Sequence, residues 1–484
     1  MTAPIFSLRE IVLYERPVTL RLPFRFGVIT LRAAPQAFVH LRIALADGRE
    51  AWGMAAELMI PKWFDKSPSR SHEDNIADLR LSLRHAAVAY GADKQPASGF
   101  GLSARQHAAL LAEGAKRGLN PLVASYGPAL LDRAIMDALG RLHGLPFHRA
   151  LSSNLFGIDA AIIPVLAPDL AGFDIGKFLD GLKPGNQIEA RHTVGLIDPL
   201  SEAEIAPADR LNDGLPQSLE AVIARYGHRW FKLKVGGDIK ADLARLGDIA
   251  AILDAKVGKY QASLDGNEQY DDVDGIAALW RAMLAEPKLA RLCAAIGYIE
   301  QPIKRDAALS RDVSSLAAQK PVIVDESDGD YSVFPAARAL GYVGISSKSC
   351  KGAYKAVLNA ARVAHWNAAE AASRYFLSAE DLTTQAGLCV QQDLALVSTL
   401  GLSHVERNGH HYVDGFGDAP AAEANGFSAA HPDLYEISAG RPRLAIRQGR
   451  IALGSLHAAM GFASAAEPDW TSLSPLNDLT GSNA

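Results

Sequence analysis

Three cysteines in 484 residues (Cys293, Cys350 and Cys389) are too few and too widely spaced for a disulfide framework or a zinc ligand set. They read as reduced structural thiols, which points to a reducing, cytoplasmic setting. No apolar run approaches the roughly 20 residues that span a bilayer. The first apolar stretch carries Arg9, Glu10 and Glu15, so it is not expected to be a secretory signal. Charge of either sign is also scarce. Against 54 acidic residues stand 49 basic ones, a net of -5, which leaves no footprint for nucleic acid. Glycine (41) and proline (25) are ordinary in number, which excludes collagen-like and low-complexity chains. With 49% hydrophobic residues, the chain should build more than one sizeable core.

The first 50 residues alternate strand signals (7–14, 24–30, 37–46) with turns, the last at Asp47-Gly48. Apolar residues then recur at helical spacing over 76–90, 104–117 and 127–142, and Gly144-Leu145-Pro146 ends the last run. Strands followed by helices predict an α+β unit. Six prolines between 164 and 216 interrupt the next stretch, where 188–196 is the one clear strand. From 219 a regular rhythm of helix and strand sets in and lasts to 406, giving eight strands in all, the closure number of a (β/α)8 barrel. Beyond 430 the hairpin-like segments 443–447 and 450–453 have no place in a barrel, so they are expected to return to the N-terminal sheet. The expected class is α/β, a TIM-type barrel with a discontinuous α+β capping domain. Its parts would be 1–155 (cap), 156–187 (inserted excursion), 188–428 (barrel) and 429–470 (return to the cap).

In such a barrel, alternate residues point inward and catalytic groups stand at the carboxyl ends of strands. Here those ends carry charge in order: Lys232 and Lys234, then Asp265, Glu300, Asp325 and Lys348. Burying so many charges is costly unless they serve one another or a ligand. Three carboxylates from successive strands are hard oxygen donors suited to Mg2+, with lysines on either side. That arrangement permits removal of the proton next to a carboxylate, with the metal neutralising the developing enediolate and a lysine as base. Such a base needs a depressed pKa, and the proximity of Lys232, Lys234 and a divalent ion is expected to lower both Lys234 and Lys348.

The motifs Lys232-Leu233-Lys234, Asp265-Gly266-Asn267, Ile299-Glu300-Gln301-Pro302, Val324-Asp325-Glu326-Ser327 and Lys348-Ser349-Cys350-Lys351-Gly352 resemble those of the enolase superfamily, in its mandelate racemase/muconate-lactonizing branch. The resemblance covers most of the chain. It implies Mg2+ on Asp265, Glu300 and Asp325, with Glu326 as the alternative to Asp325. It implies Lys234 and Lys348 as acid/base catalysts and Lys232 on the substrate carboxylate. Phe24-Arg25-Phe26-Gly27 resembles the substrate-covering loop, and 134–139 the helix entering the barrel. Asn267, Phe24 and Phe26 are thus candidate substrate-binding residues. Glu406, like a glutamate of lactonizing relatives, and Glu380 join them, or else pair with ions at the rim. Lys351-Gly352-Ala353 and Ser346-Ser347 depart from the usual pattern, and the chain is about a hundred residues longer than usual.

The expected ligand is a small carboxylate, the expected assembly a homo-oligomer, and neither nucleic acid nor membrane is an expected partner. The reaction stays open among racemisation or epimerisation, cycloisomerisation and elimination. An acid-sugar dehydratase, with Tyr270 or His404 as acid, and a non-catalytic ligand-binding barrel are the alternatives. Some signals carry less. Gly236-Gly237 reads as an ordinary turn, and Arg441, Arg443, Arg447 and Arg450 as a solvated hairpin face. His410-His411 reads as a polar loop without a third ligand.

Overall fold

The computed structural model describes residues 3–26, 29–162, 168–370 and 372–476. Its first unit is an antiparallel sheet of β1 (Phe6–Phe26), β2 (Ile29–Leu45) and β3 (Glu50–Leu58). The ladder between β1 and β2 runs from Phe6–Leu45 to Phe26–Ile29, so the strand expected over 7–14 continues to Phe26, and the one expected over 24–30 is split between the end of β1 and the start of β2. Pro17 does not end it because it faces Pro35, and neither residue has an N–H to place. The β2–β3 turn is Asp47-Gly48, with Gly48 at φ 87°.

Helices α1 (His72–Ala92), α2 (Gly99–Lys116) and α3 (Tyr126–His143) complete the cap. Helix α1 starts at a capping box: the Ser71 hydroxyl accepts from the Asp74 N–H and the Asp74 carboxylate from the Ser71 N–H. Helix α3, which contains 134–139, packs along β3 and also touches the turn at 349–351. Gly53 permits this contact, since a Cβ there would strike the backbone of Ala134 and Ala138. Gly144, at φ 62°, ends α3 in the left-handed conformation.

Eight parallel strands follow: β4 (Gln187–Val194), β5 (Trp230–Lys234), β6 (Gln261–Asp265), β7 (Ile296–Glu300), β8 (Val322–Val324), β9 (Gly344–Ser347), β10 (Phe376–Ala379) and β11 (His404–Glu406). Each pairs with the next from β4 to β10, and β11 lies on the other side of β4. Strands β10 and β11 approach each other without ladder bonds, and Arg191 of β4 spans that seam, donating to Ser378 Oγ and meeting His404 Nδ1. The helices alternate as expected, with two exceptions: where a single helix was expected over 309–318 there are two short ones, Arg305–Ala308 and Ser314–Ala317, and an extra short helix, Ala290–Ala295, precedes β7.

The C-terminal hairpin does not rejoin the cap sheet. Strands β12 (Tyr435–Ser438) and β13 (Arg441–Leu444) pair only with each other, and β14 (Arg450–Ala452) adds to β4 of the barrel. Strand β14 alone finds an open edge at the lower half of β4, below where β5 begins to pair. The return to the cap is made later, by Met460–Ser464 against α3, where the Asp137 carboxylate accepts the Phe462 N–H and Arg141 donates to the Ser464 carbonyl, and by β15 (Ser474–Pro475) against Tyr14 and Glu15 of β1. Arg443 is buried and paired with Asp414, unlike the solvated face expected of it. All three cysteines are free and buried. No helix among the described residues is long and apolar enough to cross a membrane.

Candidate active site

Strand alternation carries Lys232 and Lys234 inward from β5 while Phe231, Leu233 and Val235 enter the apolar layer between strands and helices. Lys232 Nζ sits among four carboxylates: Asp265 at 2.9 Å, Glu300 at 2.8 Å, Glu380 at 2.6 Å and Glu406 at 3.1 Å. Lys234 Nζ donates to Asp265 at 2.5 Å and to Asn267 Oδ1 at 2.8 Å. From the opposite side, Lys348 Nζ reaches Asp325 and Glu380, each at 2.7 Å, and stands 4.8 Å from the centre of the Trp63 ring.

The turns that hold these groups are specific. In Asp265-Gly266-Asn267 the Asp265 carboxylate accepts the Asn267 N–H, and a Cβ on Gly266 would strike Pro302. The Gln301 side-chain oxygen accepts the N–H groups of Asp325 and Ser327, tying the turn after β8 to the end of β7. Glu326 points away from the lysine pair, toward Asn267 and Lys66, an ion pair of 3.3 Å with the latter.

Burial alone lowers the pKa of Lys232 and Lys348, but their carboxylate neighbours outweigh it and hold both ammoniums well above the ordinary value. The depression expected for Lys348 is therefore not found, because Asp325 and Glu380 face it directly. Burial, helped by the nearby Glu380 charge, pushes Glu300 well up. For Glu380, burial is overcome by Lys232 and Lys348, which hold it well down. Burial also pushes Asp381 up to about 7, against the pull of Arg407.

A small cavity lies above this cluster, lined by Lys232, Lys234, Asn267, Asp325, Lys348, Glu406 and, from the cap, Phe24, Ile60 and Trp63. Phe24 is buried, with its ring 4.4 Å from that of Tyr412. The side chain of Phe26 lies outside the described residues, as do Gly27 and Val28. Glu380, Glu300 and Asp265 lie beneath the cavity floor through their contacts with Lys232.

The donor set fits a hard divalent cation. Glu300, Asp325 and Glu380 each offer an oxygen within 4.8 Å of the others, and Glu300 Oε2 is buried without a hydrogen-bond partner. This trio includes Glu380 in place of Asp265, both of whose oxygens are taken, Oδ2 by the two lysines and Oδ1 by the Asn267 N–H. Asp325 and Glu380 cannot serve Lys348 and an ion fully at once.

Several contributors had no readable signal in the sequence. Trp63 and Lys66 come from the segment joining β3 to α1, and Asp381 and Asn408 line the cavity from loops after β10 and β11. Arg191, wholly buried, holds Glu380 at 2.8 Å, and its partners come from three other strands or their ends. His404 stacks on Trp230 and faces Arg191, and Tyr270 packs in the loop after β6, so neither lines the cavity. His410 and His411 are not in a polar loop. Both are buried, and His410 has His192 and His228 as neighbours.

No described protein family matches the chain, and no curated protein sequence does. Solved structures match over nearly its whole length. A mandelate racemase/muconate lactonizing protein from Herpetosiphon aurantiacus is 18% identical, with a TM-score of 0.58 over 95% of this chain and 99% of its own. The muconate lactonizing enzyme from Pseudomonas fluorescens, complexed with muconolactone, is also 18% identical, with a TM-score of 0.56 over 95% and 97%. A dipeptide epimerase from Enterococcus faecalis, complexed with Mg and L-Leu-L-Tyr, is 14% identical, with a TM-score of 0.57 over 94% and 99%. At these identities the likeness is one of architecture, and the chain has the capped-barrel fold that the mandelate racemase/muconate lactonizing structures share.

Proposed function

We propose that the protein is a Mg2+-dependent enzyme that removes the proton α to the carboxylate of a small substrate, in a racemisation, epimerisation, cycloisomerisation or elimination. One observation carries this reading. Lys234 and Lys348 border one cavity from opposite sides, with buried carboxylates from four strand ends beneath and between them. A mere binding cavity gains nothing from burying so many charges. Solved neighbours are complexed with muconolactone, or with Mg and a dipeptide, which agrees with the reading.

In this reading Glu300 and Asp325 hold the ion, joined by Asp265 or Glu380. What the ion supplies when bound is positive charge against the substrate carboxylate oxygens. Lys234 and Lys348 exchange protons with the two faces of the α-carbon. Lys232, held by four carboxylates, keeps a positive charge under the substrate. Asn267 and Glu406 line the site, Phe24 belongs to its roof, Phe26 stays a candidate substrate contact from the resemblance, and Trp63 and Phe24 exclude water from it. The cap (1–155, completed from 429–470) and the barrel (188–428) form the unit, acting on a cytoplasmic metabolite as a homo-oligomer.

The test is a screen of carboxylates with Mg2+ in D2O, reading deuterium at the α-carbon. In a racemase, Lys234→Ala and Lys348→Ala each stop turnover while each still exchanges the proton of one enantiomer. In an eliminating or cycloisomerising enzyme only one variant loses exchange outright, and the other slows by about 10²- to 10³-fold. Undiminished exchange in both variants rules the two-lysine mechanism out.

A further inference from the structure

Outside the barrel wall, on the face of β4 opposite the active site, three histidines meet that are far apart in the chain. His192 lies on β4, His228 just ahead of β5, and His410 in the short helix Gly409–Tyr412 that follows β11. All are buried, and each offers one ring nitrogen such that the three lie within 4.8 Å of one another. His228 Nε2 and His410 Nε2 are 3.2 Å apart. Two imidazole nitrogens bound at 2.0–2.1 Å to one tetrahedral ion stand about 3.3 Å apart.

The orientation of His228 is set from behind. Its Nδ1 lies 3.0 Å from the Ala190 carbonyl, so that nitrogen carries the proton and Nε2 presents its lone pair. A simple hydrogen bond from His410 to His228 would satisfy that pair, but it leaves His192 Nδ1 buried without a partner. Burial holds all these rings in the neutral form that ligates metals, His228 down to about 4. The charged groups facing the cluster are Arg21 and Arg407, and each has its own counter-ions: Asp213 for Arg21, Asp381 and Asp393 for Arg407. A cleft lined by Tyr226, Gly409, His410, Glu436 and Arg443 leads from the surface to His410.

We propose that His192, His228 and His410 form a second metal site, separate from the carboxylate cluster, that takes a borderline transition ion such as Zn2+ through three imidazole nitrogens. Three neutral nitrogen donors without a carboxylate or thiolate suit zinc, nickel or copper and not Mg2+. The site would staple the first and second strands of the barrel to the segment that follows the eighth.

The full chain, stripped by chelator and then held in excess Mg2+ to occupy the carboxylates, is dialysed against micromolar Zn2+ and its metal content measured. One equivalent of zinc is expected, along with a higher melting temperature in zinc than in Mg2+ alone. His410→Gln and His192→Gln should each lose that equivalent and the thermal shift, while Glu300→Gln should keep both. Should a histidine variant fail to fold, Co2+ added to the parent gives the reading instead, with a visible tetrahedral spectrum expected. Less than a tenth of an equivalent of zinc in the parent, zinc retained by both histidine variants, zinc lost with Glu300→Gln, or no visible cobalt band would each overturn the assignment.

Discussion

Glu380→Gln tests the electrostatic design of the site through a side chain that the substrate need not touch. Glu380 is wholly buried and receives three cations: Arg191 at 2.8 Å, Lys232 at 2.6 Å and Lys348 at 2.7 Å. The substitution keeps the shape and removes the charge. Lys232 retains three carboxylates and Lys348 retains Asp325. Arg191 has no other ion pair among the described residues and is left with hydroxyl, imidazole and carbonyl partners. Stranding a buried charge costs roughly 3–5 kcal/mol. Relief of the repulsion between Glu380 and Glu300 returns part of it, so a net loss of about 3 kcal/mol is expected. Urea unfolding in EDTA, followed by tryptophan fluorescence, measures the loss. Adding Arg191→Met to the same variant should recover most of it, because no unpaired charge then remains. A single variant within about 0.5 kcal/mol of the parent, or a double variant no better than the single, would refute the reasoning.

Calorimetry on two neighbouring variants separates the fifth-strand candidates: Asp325→Asn should weaken Mg2+ binding at least tenfold, whereas Glu326→Gln, whose carboxylate turns to Lys66 and Asn267, should leave it nearly unchanged. The reverse ranking transfers the ligand role to Glu326. Burial pushes Asp132 up to about 7 between Tyr90 and Ser103, so the folded cap holds a proton that the unfolded chain releases near pH 4. Stability from this group is therefore full below about pH 4 and is lost as pH rises to about 7. Asp132→Asn should become more stable relative to the parent across that window, by a few kcal/mol at most, and a pH-independent difference would contradict it. Gly53→Ala should destabilise by about 2 kcal/mol or more, since its methyl strikes the α3 backbone, and an unchanged melting temperature would show that α3 can shift.

Much of the barrel was legible because its rules are local. Period-two alternation places Lys232 and Lys234 on one face, and the strand ends at Asp265, Glu300 and Asp325 stand where the apolar runs stop. The pairing among those charges was not legible. Whether Glu380 is a rim ion-pair partner or the common anion of Arg191, Lys232 and Lys348 depends on how the barrel closes, and no spacing encodes that. The fate of the lysine protons followed from the same closure. The histidine cluster escaped for a related reason: His228 and His410 are 182 residues apart and meet only because β11 lies beside β4. Of the segments expected to form a C-terminal hairpin, 441–444 paired with 435–438 and 450–452 took a barrel edge over the cap sheet, choices that short charged strands do not announce.

The long β1–β2 ribbon works as a cantilever. Its ladder shifts register between Thr19 and Phe24, and in that bulge Arg21 grips Asp213 with two nitrogens while also donating to the carbonyls of Leu215, Pro216 and His411. Phe24 and the cavity roof lie just beyond this fastening. The roof can lift in two ways: by bending at the bulge with the Arg21 grip intact, or by swinging the whole ribbon and breaking it. Bending at the bulge leaves the Arg21 contacts in place, whereas displacing the whole ribbon requires a guanidinium to abandon a carboxylate and three carbonyls together. A residue that does not line the cavity thus fastens its roof to the segment at 213–216 and to His411.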